Sequence, residues 1–120
     1  TRDFPLAVSA YEAALKLDAK NADAWADYAD ALASASGRRL AGKPATAIEH
    51  ALRLEPNHLK GLWLAASLDL EERRYTAALA RWQQLRAALP AGSPDVAIID
   101  ANIEEARQLA GQVAQAAPPG

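Results

Sequence analysis

The feature that most constrains the fold is a pattern of apolar residues and prolines that recurs at a fixed period. Pro56 and Pro90 are 34 residues apart, and the same 34 residues separate Ile48 from Trp82. Each pair marks the equivalent place in two successive helical segments. A period of this length is typical of small supersecondary units that stack on their neighbours to bury a continuous core.

Residues 59–90 contain one such unit. They form two amphipathic helical stretches separated by a polar break at 72–74. In the second stretch, Ala78, Trp82 and Leu85 place a small, an aromatic and an apolar side chain on one helix face. A helix–turn–helix unit with small residues where its helices touch resembles a tetratricopeptide repeat (TPR). The predicted fold is all-α, a TPR solenoid of about six antiparallel helices with a C-terminal capping helix.

An insertion interrupts the period upstream of Ile48. Tyr11 occupies the equivalent face one unit earlier, but it precedes Ile48 by 37 residues, three more than the period. We assign the three additional residues to the loop at 37–42, the only stretch between Trp25 and Pro44 without a helical pattern.

The predicted organisation is a TPR domain at 1–111 followed by a disordered tail at 112–120. The domain comprises four parts: the second helix of a truncated repeat (3–21), a repeat with the insertion (22–56), a further repeat (57–90) and the capping helix (93–110). Since the truncated repeat lacks its first helix, we expect the chain to be a piece of a longer protein.

Composition narrows the possible functions. The formal net charge is −2, so no basic face predicts binding to nucleic acid or to an anionic membrane surface. Cysteine is absent, which excludes a disulfide framework, a thiolate nucleophile and a finger-type zinc site. His50 and His58 have no metal-ligand or acid–base pattern around them, and no serine lies in a nucleophile elbow. We therefore predict no enzyme, no metal and no cofactor.

The remaining candidate site is a groove. Stacked helical hairpins expose their first helices on a concave surface, and the residues that face it recur once per repeat. Trp63 falls on such a position beside the small residues of the capping helix, where an apolar trough could accept an amphipathic helix or an extended peptide. The predicted groove residues are Asp23, Ala26, Asp27, Asp30, Lys60, Trp63, Ser67, Leu70, Ala97 and Ala101.

Trp63 has an alternative, which is packing beneath the missing N-terminal helix or against the insertion loop. If it is a groove residue, we expect Trp63→Ala to lower peptide affinity and hardly change the melting temperature. Trp25 and Trp82, by contrast, fall on packing positions of the repeat.

Charged residues near the groove also allow two interpretations. Asp23, Asp27 and Asp30 lie within two turns on one side of a helix, where they either form a solvated face or favour a basic partner. Arg38 and Arg39 follow the end of that helix, so they either interact with its exposed carbonyl groups or contact a carboxylate of a partner.

Beyond the general repeat spacing, this chain resembles one branch of the TPR proteins. The features that carry the resemblance are Ala31-Leu32-Ala33, the loop Gly37-Arg38-Arg39-Leu40-Ala41-Gly42-Lys43-Pro44, Pro56-Asn57-His58, and Leu89-Pro90 with Gly92-Ser93. The chain is similar to the TPR domain of the CcmI/CycH-type subunit of the system I cytochrome c maturation haem lyase complex. The nitrite-reductase accessory TPR subunit NrfG is related to that domain.

The resemblance implies a non-catalytic chaperone that captures the C-terminal helix of apocytochrome c in its concave groove. It also implies other haem lyase complex subunits as partners. The expected location is the periplasm, in a protein that meets the membrane only through an N-terminal segment absent from this sequence.

Two other functions stay open. One is a TPR adaptor with another client, although the subtype that clamps a terminal carboxylate is disfavoured, because Ala26 and Asp30 occupy its cationic and amide positions and only Lys60 fits. The other is a structural module that buries its groove in a longer chain or in a dimer.

Overall fold

Six helices make up the fold in a computed structural model that describes residues 4–116. They are α1 (Phe4–Leu17), α2 (Ala22–Ala35), α3 (Lys43–Leu54), α4 (Leu59–Glu71), α5 (Tyr75–Ala88) and α6 (Val96–Ala116). No strand occurs in this part of the chain. The all-α TPR fold predicted from the repeat is confirmed.

The helix ends follow local chemistry. Asn21 caps α2 by accepting a hydrogen bond from the Ala24 amide at 3.0 Å. His58 caps α4 in the same way, its Nδ1 accepting from the Gly61 amide at 3.0 Å. Pro44 lies in the first turn of α3, where its missing N–H removes no helical hydrogen bond.

The helices form a single stack, in which each packs on the next and α2 also contacts α4. One cluster of buried side chains, the α2–α4 cluster, joins α2, α3 and α4 around Ala29, Ile48 and Ala65. A second, the α4–α6 cluster, joins α4, α5 and α6 around Leu62 and Trp82; its other buried members are Ala66, Ala78, Leu85, Ile99, Ile103 and Ala106. Leu52 packs against both clusters, so the core is continuous along the stack.

The insertion loop between α2 and α3 is built into this core. Leu40 is buried in the α2–α4 cluster. The Leu40 and Ala41 amides donate to the two carboxylate oxygens of Glu71, at 2.9 and 3.0 Å. Gly37 and Arg38 adopt left-handed backbone conformations with φ of 71° and 66°, which turn the chain sharply after α2. The end of α4 therefore holds the loop in one position.

The C-terminal boundaries differ from the prediction. The capping helix begins at Val96 rather than at residue 93, because the Ser93 carbonyl accepts from the Val96 amide in a turn and the first α-helical bond runs from Ile99 to Asp95. It continues to Ala116, so the predicted disordered tail is wrong for residues 112–116. This stretch is mostly Ala and Gln, which sustain a helix, and the next proline is Pro118. Residues 1–3 and 117–120, which include the rest of the predicted tail, lie outside the described residues.

The stack is elongated, with principal extents of 51 × 34 × 30 Å. This is the shape expected when units contact only their neighbours. Among residues 4–116, no helix combines the length and the apolar character needed to cross a bilayer.

Overpacking at Ala78 tests the helix contacts. Ala78 is completely buried in the α4–α6 cluster. We expect Ala78→Leu to reduce the free energy of unfolding by about 1–3 kcal/mol, because additional carbons have no space there. Urea denaturation measures the loss, and Ala80→Leu on the exposed side of α5 is the control. Equal midpoints for Ala78→Leu and the unaltered domain would contradict the packing described.

The anchor of the insertion loop is tested at Glu71. Glu71→Gln keeps the shape of the side chain but replaces one acceptor oxygen with an amide donor, which faces a backbone N–H. We expect a loss of about 1.5–3 kcal/mol in the free energy of unfolding, the usual range for hydrogen bonds to a charged group. Glu105→Gln, on an exposed part of α6, is the matched control in the same denaturation series. A midpoint unchanged by Glu71→Gln would show that the loop is held by Leu40 alone.

Candidate peptide-binding groove

Trp63 lies at the centre of the candidate groove, between two cavities. The first, the α2-side cavity, has a volume of about 380 Å³. Besides Lys60 and Trp63, its walls include Asp30, Ser34, Arg38, Leu40, Leu64 and Ser67. The second, the α6-side cavity, has a volume of about 290 Å³, and its walls include Leu59, Leu85, Leu89, Asp95 and Ile99. Because Lys60 and Trp63 line both cavities, the two form one surface, which we call the Trp63 groove.

The core holds the Trp63 side chain in place. Its ring is half-buried and meets the buried ring of Trp82 edge to face, with the centroids 5.1 Å apart and the planes at 84°. Such a pair contributes about 0.5–1.5 kcal/mol beyond the burial of its area. Trp63 is therefore both a groove residue and a packing residue. Trp63→Ala is now expected to lower the melting temperature as well, unlike the expectation from the sequence.

The acidic residues of α2 are engaged by α4. The Lys60 ammonium donates to Asp27 at 2.8 Å and lies 3.1 Å from the Asp30 carboxylate. Partial burial acts to lower the pKa of Lys60, but the hydrogen bonds and charges of the two aspartates outweigh it and raise the pKa above the ordinary 10.5. These ion pairs connect the first helices of two successive repeats. The single positive charge of Lys60 offsets one of the two carboxylate charges, so the acidic face is neutralised only in part within the molecule.

His58 connects the same two helices. Because its Nδ1 accepts from the Gly61 amide, the hydrogen-bond pattern assigns the ring proton to Nε2, which donates to Asp23 at 2.5 Å. Glu55 lies close enough to complete a group of three possible metal ligands. Both ring nitrogens of His58 already have protein partners, however, so its observed role is to cap α4. His50 instead stacks on Trp25, with the ring centroids 4.2 Å apart.

The other predicted groove residues are in four situations. Ser67 lines the α2-side cavity, and its hydroxyl donates to the Trp63 carbonyl at 2.9 Å. Ala97 and Ala101 are exposed on α6 but line neither cavity. Leu70 is half-buried against the α4–α6 cluster. Ala26 requires a correction: it is completely buried, so its side chain is not available to a peptide.

Several groove residues were not predicted. The repeat rule selects positions on first helices, whereas Leu85 comes from α5, Leu89 is the residue that caps the end of α5, and Leu40 comes from the insertion loop. Leu59 follows the cap of α4 and keeps 41% of its surface exposed. Its apolar character at a helix start was the signal that could have identified it.

The link between Lys60 and the aspartates predicts a pH dependence of stability. Because the pKa of Lys60 is raised on folding, the stabilisation is fully present below pH 10.5 and is lost as the pH rises through the folded value. We therefore expect the difference in free energy of unfolding between the unaltered domain and Lys60→Met to shrink above pH 10.5. Denaturation of both proteins between about pH 8 and pH 12 measures it. A difference that stays constant across this range would contradict the ion pairs.

Known proteins with a similar sequence are all described as cytochrome c-type biogenesis proteins. The family described as "Cytochrome c-type biogenesis protein H TPR domain" matches residues 1–96. Cytochrome c-type biogenesis protein CcmH of Escherichia coli K12 is 32% identical over 106 residues, which are 86% of this chain and 29% of that protein. Cytochrome c-type biogenesis protein CycH of Pseudomonas aeruginosa is 27% identical over 112 residues, which are 93% of this chain and 28% of that protein.

This chain spans less than a third of the length of these curated relatives. Their names describe biogenesis proteins and no chemical reaction. The family match covers α1 to α5 and reaches the first residue of α6, so it includes the insertion loop and most of the Trp63 groove. The chain therefore belongs to the family of cytochrome c-type biogenesis protein H TPR domains.

Proposed function

We propose that this domain is a non-catalytic peptide-binding chaperone in c-type cytochrome biogenesis, and that it captures the C-terminal helix of apocytochrome c in the Trp63 groove. The observation that carries the proposal is the position of Trp63 between two cavities. A half-buried aromatic side chain flanked by recesses is typical of the anchor points at which binding energy concentrates.

The shape of the groove fits an amphipathic helix. The α6-side cavity is mostly apolar, with Leu59, Leu89 and Ile99 in its walls, and provides room for an apolar side chain of the ligand. The α2-side cavity on the other side of Trp63 adds polar groups from Ser34 and Ser67. A helix with one apolar face would place its apolar residues over Trp63 and the α6-side cavity and keep polar residues at the edges.

The polar contacts between α2 and α4 favour a preformed groove. Lys60 is tied to Asp27 and Asp30 on α2, and His58 to Asp23, so the relative position of α2 and α4 is set before any ligand arrives. A surface already in its binding geometry loses less conformational freedom on association, and affinity increases accordingly.

Family membership supports a proposal for the location and the partners. Relatives named for cytochrome c-type biogenesis support placing this domain in the periplasm, within a longer protein that an N-terminal segment anchors in the membrane. Other subunits of the haem lyase complex are the proposed partners of that longer protein. The domain would hold the unfolded cytochrome chain while the complex attaches haem.

Self-association is the second candidate function, and one observation favours it. Leu17, at the end of α1, keeps 91% of its surface exposed, and a cavity of about 470 Å³ between α1 and α2 is lined by Leu15, Trp25 and Tyr28. A second copy that contacts Leu17 would remove this exposed side chain from water. Sedimentation equilibrium tests self-association. A concentration-dependent dimer that Leu17→Ser weakens would support a contact through this residue.

Peptide binding is tested by fluorescence anisotropy. The probe is a labelled C-terminal helix peptide of a c-type apocytochrome from the same organism, titrated with the domain. Leu59→Ser should raise the Kd about five- to tenfold, since partial loss of one buried leucine contact removes about 1–1.5 kcal/mol. Leu17→Ser is the matched control, because it makes the same change on a more exposed leucine outside the groove.

Circular dichroism melts accompany both variants, so that a loss of folding is not mistaken for a loss of contact. Saturable binding that Leu59→Ser weakens and Leu17→Ser does not would support the proposal. Absence of binding by the folded, unaltered domain would contradict capture of this helix. Equal weakening by both variants would place the peptide elsewhere.

A further inference from the structure

Arg38 provides an unused positive charge at one end of the Trp63 groove. It lines the α2-side cavity with Lys60, the other basic residue there. Lys60 is engaged by Asp27 and Asp30, whereas Arg38 has no carboxylate within ion-pair distance among residues 4–116. Of the two cations in this cavity, Arg38 is therefore the one whose charge is available to a ligand.

The backbone at Arg38 is well fixed. Its amide donates to the Ala33 carbonyl at 2.6 Å, which closes the C-terminus of α2. Two residues further on, Leu40 is buried and held by Glu71. The guanidinium is thus carried by a short segment anchored on both sides, although the side chain itself is exposed. Such anchoring reduces the entropy lost when the side chain meets a partner.

The surroundings of Arg38 combine charge with apolar surface. Leu40, Trp63 and Leu64 supply apolar walls to the cavity, and Ser34 and Ser67 also line it. Its one acidic residue, Asp30, is paired with Lys60 at 3.1 Å. A guanidinium matches a carboxylate in geometry and binds it through two parallel hydrogen bonds. A carboxylate next to an apolar group is therefore the chemistry that complements this cavity.

We infer that the α2-side cavity binds an acidic side chain of the client helix, and that Arg38 pairs with its carboxylate while an apolar residue of the same helix face enters the α6-side cavity. The inference rests on the proposed function and specifies the client: an Asp or Glu lies near the apolar residues of the captured segment. A helix that reaches the cavities on both sides of Trp63 must lie across it, so side chains rather than the chain terminus enter them.

A double-mutant cycle tests this pairing. The probe is the labelled apocytochrome C-terminal helix peptide, prepared unaltered, with each Asp or Glu changed singly to Asn or Gln, and with an amidated C-terminus. Each peptide is titrated with the unaltered domain, with Arg38→Gln and with Arg39→Gln. Arg39 is the matched control, because it is the exposed neighbouring arginine and lines neither cavity.

We expect Arg38→Gln to raise the Kd of the unaltered peptide about two- to fivefold, the range of an exposed ion pair. For the peptide that lacks the paired carboxylate, the same variant should have no effect. Arg39→Gln should leave every Kd unchanged. The loss caused by Arg38→Gln should also shrink in high salt, because screening weakens exposed charge pairs.

The outcomes separate this inference from the proposed function. The pairing would be overturned, with peptide capture intact, if Arg38→Gln reduced the affinity for every peptide equally. An equal reduction of affinity by Arg39→Gln would overturn it as well. The pairing would also be overturned if Arg38→Gln lost its effect only with the amidated peptide. That result would show that Arg38 pairs with the C-terminal carboxylate of the peptide. If no peptide binds the folded domain, the proposed function fails and the inference fails with it. A melting temperature shared by Arg38→Gln and Arg39→Gln shows that the variants fold alike.

Discussion

The structure depends on the packing of α4 between two clusters. Leu64, Ala65 and Leu68 face the α2–α4 cluster, while Leu62 and Ala66 face the α4–α6 cluster. Much of the helix is therefore buried, and the groove is lined by its less buried residues Leu59, Lys60, Trp63 and Ser67. The approach of α3 is so close at Gly61 that an added Cβ would lie 3.0 Å from a methyl carbon of Leu52. The groove exists because α4 is held on its other sides.

Polar interactions then fix the neighbours of α4. Asp69 is buried, and its carboxylate accepts hydrogen bonds from Arg74 in the α4–α5 turn and from Arg81 on α5. A buried carboxylate is costly unless it is paired, so this arrangement favours one orientation of the α4–α5 hairpin. Glu71 does the same for the insertion loop, and Lys60 for α2. One helix thus positions both the apolar centre of the groove and the loop that carries Arg38.

Prediction from sequence succeeded where local periodicity decides the outcome. The 34-residue period predicted two helices within residues 59–90, where α4 and α5 lie, and it assigned residues 22–56, which contain α2 and α3, to one repeat. The tail failed at residues 112–116, since a stretch of Ala and Gln is compatible with both a solvated coil and an extended helix. The groove was predicted in part. Trp63, Lys60, Ser67 and Asp30 do line it, but Ala26 is buried and the α5 and loop leucines were missed, because burial depends on neighbours far along the chain.

The sequence by itself determined the class of the fold, the number and approximate limits of the helices and the site of the insertion, and it singled out Trp63 as a candidate groove residue. These properties follow from side-chain spacing, capping and turn residues, which act over a few residues. Only the tertiary structure decided that Trp63 packs on Trp82, that the α2 aspartates are engaged by Lys60 and His58, and that Arg38 has no carboxylate within ion-pair distance among residues 4–116. The physical reason is that packing and charge pairing join residues more than thirty positions apart, as Asp27 and Lys60 do, and local sequence carries no record of which distant partner is within reach.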